Sequence, residues 1–277
     1  MWLPILCPNC RKLIRSDEHA CRHCGLLRPG ERWRRNFPAV LQPHPDDVIR
    51  DIIYLNAFFY LLSLLLVPAK TGISGNPLRM LSPSDESLFA LGATGTFALE
   101  GMHRWWTLVA ANYLHGGVLH IVFNMMALAQ IGPLVIREYG ASRMVTLYTL
   151  GGVFGFMVSY LAHTPFTLGA SGAVCSLIGS ALYYGKSRGG AYGHAVFHGV
   201  WGWALGILLF GFVMPGIDNW AHGGGMAAGF LLGAALGYQE RGRENAWHRR
   251  LATGCVLATL AILAWAAATG LTGRLLG

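Results

Sequence analysis

"TLGASGAVCSLIG" (Thr167–Gly179) has the composition of an apolar helix interior, yet it sets a hydroxyl, Ser171, between Gly169 and Gly172. In a membrane helix such a serine is either a close contact between helices or a nucleophile, and the two demand different surroundings. The segment is also short: 15 residues run from Ser171 to Gly185 before the first following charge, Lys186. That is ~22 Å of helix, too little to cross a hydrocarbon core of ~30 Å. The serine end should therefore lie at the floor of a cavity, reached by the loop "HTPFTLG" (163–169) dipping inward. Irregular backbone at that depth is tolerated where it lines such a cavity.

The rest of the chain supplies the membrane. Its 277 residues are 53% hydrophobic and only 12% charged, about half the ~25% of a soluble domain. Apolar segments of transmembrane type are expected at 52–68, 118–136, 143–162, 171–185, 195–213, 220–238 and 251–269. The net charge of +8 would suit nucleic acid if it covered one face of a soluble domain, but the basic residues fall in clusters between apolar runs. A cytoplasmic N-terminus puts Arg28, Arg32, Arg137, Arg143, Lys186, Arg188, Arg241 and Arg243 inside and leaves only Lys70, Arg79, Arg104 and Arg274 outside. This satisfies the positive-inside rule and places the C-terminus outside. No nucleic-acid partner is expected, and the lipid bilayer is the main surrounding. "MWLPILCPNC" lacks the order of a signal peptide, so no cleaved leader is read.

Between the first two apolar segments, an insertion from Ala69 to Val118 carries "HRWWTL". Paired tryptophans suit the membrane interface, and short amphipathic helices half-sunk in the bilayer are expected here. Small residues recur at four-residue spacing at Gly225, Gly229, Gly233 and Gly237, at Gly151 and Gly155, and at Gly202 and Gly206. Such stripes let helix backbones approach closely.

At the N-terminus, "CPNC" and "CRHC" hold Cys7, Cys10, Cys21 and Cys24 in two C-x-x-C pairs. Each short turn aims two thiolates at one point, which suits a tetrahedral structural zinc. Redox pairs or free thiols are the alternative, and His19 or His23 could substitute as ligands. So small a segment needs the metal's folding energy. The expected division is a zinc-ribbon-like cytoplasmic module at 1–30, a linker at 31–50, a six-helix core at 51–240 and a seventh helix within 241–277.

Polar residues within apolar segments cost free energy unless they are satisfied or used. His115, His120 and Asn124 open the second segment, Ser171 the fourth and His222 the sixth. All three segments run the same way, so these residues share one depth. Their types fit acyl transfer, in which a neutral histidine takes the proton of a serine. His120 and Asn124 lie one helical turn apart and face the same way. With the Ser171 backbone N–H, they form a donor set for an oxyanion. Each residue alone has a blander reading: Ser171 as packing, His222 as an interhelical hydrogen-bond partner, His115 as an interface or substrate-edge residue. Metal binding by these histidines lacks both an HExxH motif and an adjacent carboxylate, so no catalytic cofactor is expected. His194 and His198 lie away from the others and are assigned no chemistry.

Three stretches resemble the rhomboid intramembrane serine proteases: "HGGVLHIVFNMMAL" (115–128), "GASG" (169–172) and "AHGGGMAAG" (221–229). The resemblance implies an all-α polytopic membrane protein with a six-helix core plus one C-terminal helix, set in a bacterial inner membrane. It makes Ser171 the nucleophile, His222 the general base, and His120, Asn124 and Ser171 the oxyanion hole. His115, Gly169, Gly172 and Cys175 fall beside the site, the glycines clearing room for a substrate backbone. Substrates would be transmembrane proteins, and the zinc module would hold a cytoplasmic partner or brace the first helix. Three positions depart from the family pattern: Ile136 in place of a glutamate, Thr107 in place of an arginine, and Cys175 in place of a tyrosine. The rival readings are a silent rhomboid-like escort of membrane proteins and a small-molecule transporter. An escort would be expected to lack Ser171 or His222, and a transporter would spread ionisable groups along a path.

Overall fold

The computed structural model describes residues 4–7, 12–23, 25, 45–67, 80–214 and 216–276. A small antiparallel hairpin comes first, with β1 (Pro4–Leu6) paired to β2 (Leu13–Arg15) in the register Pro4↔Arg15. Among the described residues, the longer elements after it are helices: α1 (Pro45–Leu66), α2 (Asp85–Ala90), α3 (Thr107–Ala110), α4 (Val118–Tyr139), α5 (Ala141–Leu161), α6 (Ser171–Arg188), α7 (Gly190–Val213), α8 (Asn219–Leu236) and α9 (Ala246–Leu276). The seven longer helices overlap the seven expected segments. However, α1 starts at Pro45 rather than 52, and α9 runs to Leu276 rather than 269.

Among the described residues, five helical stretches are long and apolar enough to cross a membrane: Asp47–Leu66, Val118–Tyr139, Ala141–Leu161, Gly190–Val213 and Ala246–Thr272. The two left out, α6 and α8, have 18 residues each and carry the serine and a histidine. Their position explains the composition. Every residue of α6 from Gly172 to Leu182 is buried, and α4, α5, α7 and α8 pack around it. A helix shielded by protein has no lipid to satisfy, so serine and glycine are tolerated along it.

The α5–α6–α8 contact is made through missing side chains. A Cβ at Gly225 would run into the Gly172 backbone, one at Gly229 into the Ser176 carbonyl, and one at Gly155 would lie 2.7 Å from the Ala221 carbonyl oxygen. Ser176 crosses the same seam and donates from Oγ to the Leu147 carbonyl at 2.7 Å. The expected stripe is thus used at Gly151, Gly155, Gly225, Gly229 and Gly233, but not throughout. Gly202 and Gly206 on α7 face open space, and Gly237 lies beyond α8 at φ +66° with no close neighbour.

The insertion forms α2, a wide turn at Phe97–Gly101, α3 and a tight turn at Ala111–Tyr113. Ser84 caps α2 by accepting the Ser87 N–H at 3.1 Å. Phe97, Met102 and Trp105 stay about half exposed, as suits a segment resting in the interface. A short strap ties it to the loop before Ser171. Thr94 and Thr167 exchange backbone N–H···O bonds of 2.9 and 2.8 Å, and the Thr96 N–H reaches the Thr164 carbonyl at 2.9 Å. Helix α9 lies beside α1, α2, α3 and α5.

At the other end of the bundle, Glu244 from the α8–α9 connection serves the start of α5. Gly140 precedes α5 and has no side chain to cap it. The Glu244 carboxylate instead accepts the Arg143 N–H at 2.8 Å and the Ser142 hydroxyl at 3.3 Å. This half-buried carboxyl is pushed above the ordinary glutamate range by burial, against which the Arg143 N–H and guanidinium act.

Candidate active site

Ser171 is the first residue of α6, and no side chain caps that helix. The first N–H groups of a helix have no intrahelical acceptor, so the end of α6 presents donors and a partial positive charge. His222 sits one turn into α8, where the glycine seam draws α8 onto α6. Its Nε2 lies 2.8 Å from Ser171 Oγ. His222 is buried, and its other ring nitrogen, Nδ1, meets no hydrogen-bond partner among the described residues. An acidic residue does lie one turn back, Asp218, but its carboxylate caps α8 by accepting the Ala221 N–H at 3.0 Å and accepts the Ser159 hydroxyl. The serine and the histidine are therefore paired without a carboxylate hydrogen-bonded to the histidine among the described residues.

His120 reaches the site from the first turn of α4. Gly169 has φ +128°, and a Cβ there would lie 2.8 Å from His120 Nε2 and 2.9 Å from its Cε1. The imidazole thus occupies the room that the missing Gly169 side chain leaves, beside Ser171. The Gly169 N–H is held by the Ala111 carbonyl at 2.9 Å. Gly172 makes room of a different kind, facing the Ala221 backbone of α8. A side chain at Gly169 would meet the His120 ring, and one at Gly172 would lie in ordinary contact with the Ala221 backbone of α8. Asn124 lies one turn further along α4 and is nearly buried, its amide donating to the His120 carbonyl at 2.8 Å. His115 is fully buried, its ring edge-on to His120 with centroids 5.0 Å apart. Cys175, one turn beyond Ser171, is buried in the core.

Two of the three departures, at Thr107 and beside Ile136, lie in hydrogen-bonded surroundings. Thr107 donates from Oγ1 to the Arg104 carbonyl at 2.7 Å and lies 2.9 Å from Thr94 Oγ1. The Arg104 guanidinium lies over the rings of Phe89 and Trp106 and donates to the carbonyls of Phe89 and Ala90. Two residues after Ile136, Glu138 accepts from Arg137 Nε at 2.7 Å and from the Tyr192 hydroxyl at 2.6 Å, linking α4 to α7. Sequence reasoning missed Arg104 and Asp218 in these anchoring roles, although an aspartate just before an apolar helix is a common cap. It also missed Gly116, whose N–H donates to His120 Nδ1 at 3.3 Å.

A serine hydroxyl on an imidazole, beside a second imidazole and a helix N-terminus, is an arrangement for acyl transfer. Comparison with known proteins points the same way. Residues 102–239 match the family model described as Rhomboid domain. The chain carries a rhomboid domain. That domain includes His115, His120, Asn124, Ser171 and His222 and leaves the N-terminal hairpin and α9 outside it. The chain is 33% identical over 264 residues to Rhomboid protease GluP of Bacillus subtilis (strain 168), covering 92% of this chain and 49% of that protein. It is also 37% identical over 163 residues to RHOMBOID-like protein 4 of Arabidopsis thaliana, and 36% identical over 177 residues to RHOMBOID-like protein 5 of the same plant. These matches cover 58% and 59% of this chain, and 41% and 55% of the two plant proteins. The chain spans about half the length of the relatives it matches. The rhomboid domain and the apolar helices together make it an integral membrane protein.

Proposed function

We propose that this chain is an intramembrane serine endopeptidase that cuts membrane proteins in or near their transmembrane segments with a Ser171–His222 dyad. The observation that carries this reading is the 2.8 Å approach of His222 Nε2 to Ser171 Oγ at the start of a buried helix. His222 Nε2 takes the Ser171 proton as Oγ attacks the scissile carbonyl. The resulting oxyanion is met by His120, the Asn124 amide and the Ser171 N–H, fixed in place before the reaction. His222 then passes its proton to the departing amine, leaving a serine ester. Water attacks that ester with His222 again as base, releasing the acid and restoring the hydroxyl. The substrate must unwind locally, because a helix keeps its carbonyls in its own hydrogen bonds.

The same reading sets six transmembrane helices, α1 and α4 to α8, as the core, with α9 as a seventh and the N-terminus in the cytoplasm. The hairpin is proposed as a structural zinc module. Cys7 and Cys21 are buried together with Ile14, and the His23 N–H lies 3.4 Å from Cys21 Sγ. Such an N–H···S bond favours a thiolate. Cys10 and Cys24, the other two proposed ligands, lie outside the described residues. Zinc held by the four cysteines would supply folding energy to a segment with little core of its own. A cytoplasmic partner of this module belongs to the same proposal, as does simple bracing of α1.

The test is incubation of the detergent-solubilised protein with a fluorophosphonate probe and a model transmembrane substrate. Labelling and cleavage are expected in the wild type, and both are lost in Ser171→Ala. Loss of about 10⁴-fold or more is expected in His222→Ala, as for removal of a dyad member that acts as a unit. Labelling of Ser171→Ala would sink the dyad. A wild type that binds the substrate but never cuts it would leave the escort reading.

A further inference from the structure

Besides the dyad, the site depends on which nitrogen of His120 carries its proton. An imidazole can serve an oxyanion only from a ring N–H, and a neutral ring has one. With the proton on Nδ1, the face toward Ser171 would present a lone pair and repel negative charge. We infer that the turn His115–Gly116 fixes His120 as the Nε2–H tautomer and so makes it a donor; this rests on the proposed protease reading.

Two contacts support the inference. The Gly116 N–H donates to His120 Nδ1 at 3.3 Å, which occupies that nitrogen's lone pair. The proton is then left to Nε2, the atom lying against Gly169 on the Ser171 side. The second contact sets the ring's rotation. His115 is fully buried and lies edge-on to His120, with ring centroids 5.0 Å apart and planes at 71°. Neither ring nitrogen of His115 finds a partner among the described residues, and its contact with His120 is one of shape. Flipping the His120 ring would put Cδ2 where Nδ1 stands and so break the Gly116 bond. Gly116 is thus a positioning residue acting through its backbone, and His115 one acting through its outline.

Nitrogen-15 NMR of histidine-labelled protein in micelles reads the tautomer directly and does not require the protein to cleave anything. The wild type should show a pyrrole-type Nε2 and a pyridine-type Nδ1 at His120. Gly116→Ala keeps the N–H, and its Cβ would lie 3.9 Å from His120 Nδ1, an ordinary contact. It should keep the Nε2–H signature. Gly116→Pro removes the N–H and should give mixed tautomers. Its kcat should fall about 10²-fold, in the range for loss of an oxyanion donor, with KM little changed. His115→Phe should preserve the Nε2–H signature, whereas His115→Ala should broaden it. A wild-type Nδ1–H signature, or a Gly116→Pro protein that folds with tautomer and kcat intact, would overturn the inference. An Nε2–H signature in a protein that neither labels nor cleaves would overturn the protease reading and leave the tautomer assignment standing.

Discussion

At Gly169 the backbone sits at φ +128°, a region that side chains rarely adopt, and the direction of its missing side chain is filled by the His120 ring. Gly169→Ala therefore meets two obstacles. Backbone strain of this kind costs about 1–3 kcal/mol, and His120 must also retreat from Ser171. The expected outcome is a folded protein with a lower midpoint of thermal unfolding and with fluorophosphonate labelling slowed at least about tenfold, as for a misplaced oxyanion donor. Ser171, His222 and His120 were legible in the sequence because hydroxyl and imidazole groups are out of place in apolar segments. Gly116 was not, since it acts through an N–H that nearly every residue has. The neighbour of Gly169 was not legible for a related reason: a glycine shows that space is needed, and only the packing shows that the His120 ring lies there.

The contact between α6 and α8 sets the distance between nucleophile and base. A Cβ at Gly225 would meet the carbonyl and Cα of Gly172, one residue after Ser171, and backbone cannot swing aside as a side chain can. Gly225→Val should push α8 away, at an overpacking cost of about 1–3 kcal/mol. Probe labelling should disappear while the circular dichroism of the helices is retained. The α5 start offers a second measurement. Burial raises the Glu244 carboxyl above its ordinary range, so the folded state holds this proton more tightly than the unfolded chain does. Stability from this group is fullest below the unfolded value of about 4.3 and is lost as pH rises through the folded value. Unfolding midpoints measured across that window should decline less in Glu244→Gln than in the wild type. The helices themselves were readable from apolar runs to within several residues. Their ends were less so, because α1 and α9 continue past the apolar stretch. The silence of Gly202 and Gly206 shows that a four-residue glycine spacing states a possibility of close approach without naming a partner.

For the molecule as a whole, α6, which starts at Ser171, is enclosed by α4, α5, α7 and α8, and the shorter α8 packs against it to bring His222 to the site. The opening stretch already implied this, since a helix starting at Ser171 falls short of the bilayer thickness. The strap between Thr94 and Thr167 was not foreseen, because a pair of backbone bonds between two loops leaves no pattern in side-chain chemistry. If the short helix opens into an aqueous cavity on the outer side, Ser171→Cys should react with a membrane-impermeant maleimide added outside right-side-out vesicles. The wild type, with Cys175 and Cys255 buried, should not react. Labelling that Ser171→Cys gains over the wild type only from the opposite side, where Cys7, Cys10, Cys21 and Cys24 set the background, would reverse the proposed topology.

The Glu244 cap spans 101 residues of sequence, from Arg143 to the α8–α9 connection. A ribosome adding about 5–20 residues per second needs roughly 5–20 s to make that stretch. For that interval α5 is in existence with the start of its helix unfinished. Maturation of the bundle is therefore timed by its last connection. A nascent chain stalled before residue 244 should remain accessible to quality-control proteases that no longer act once the carboxylate has arrived.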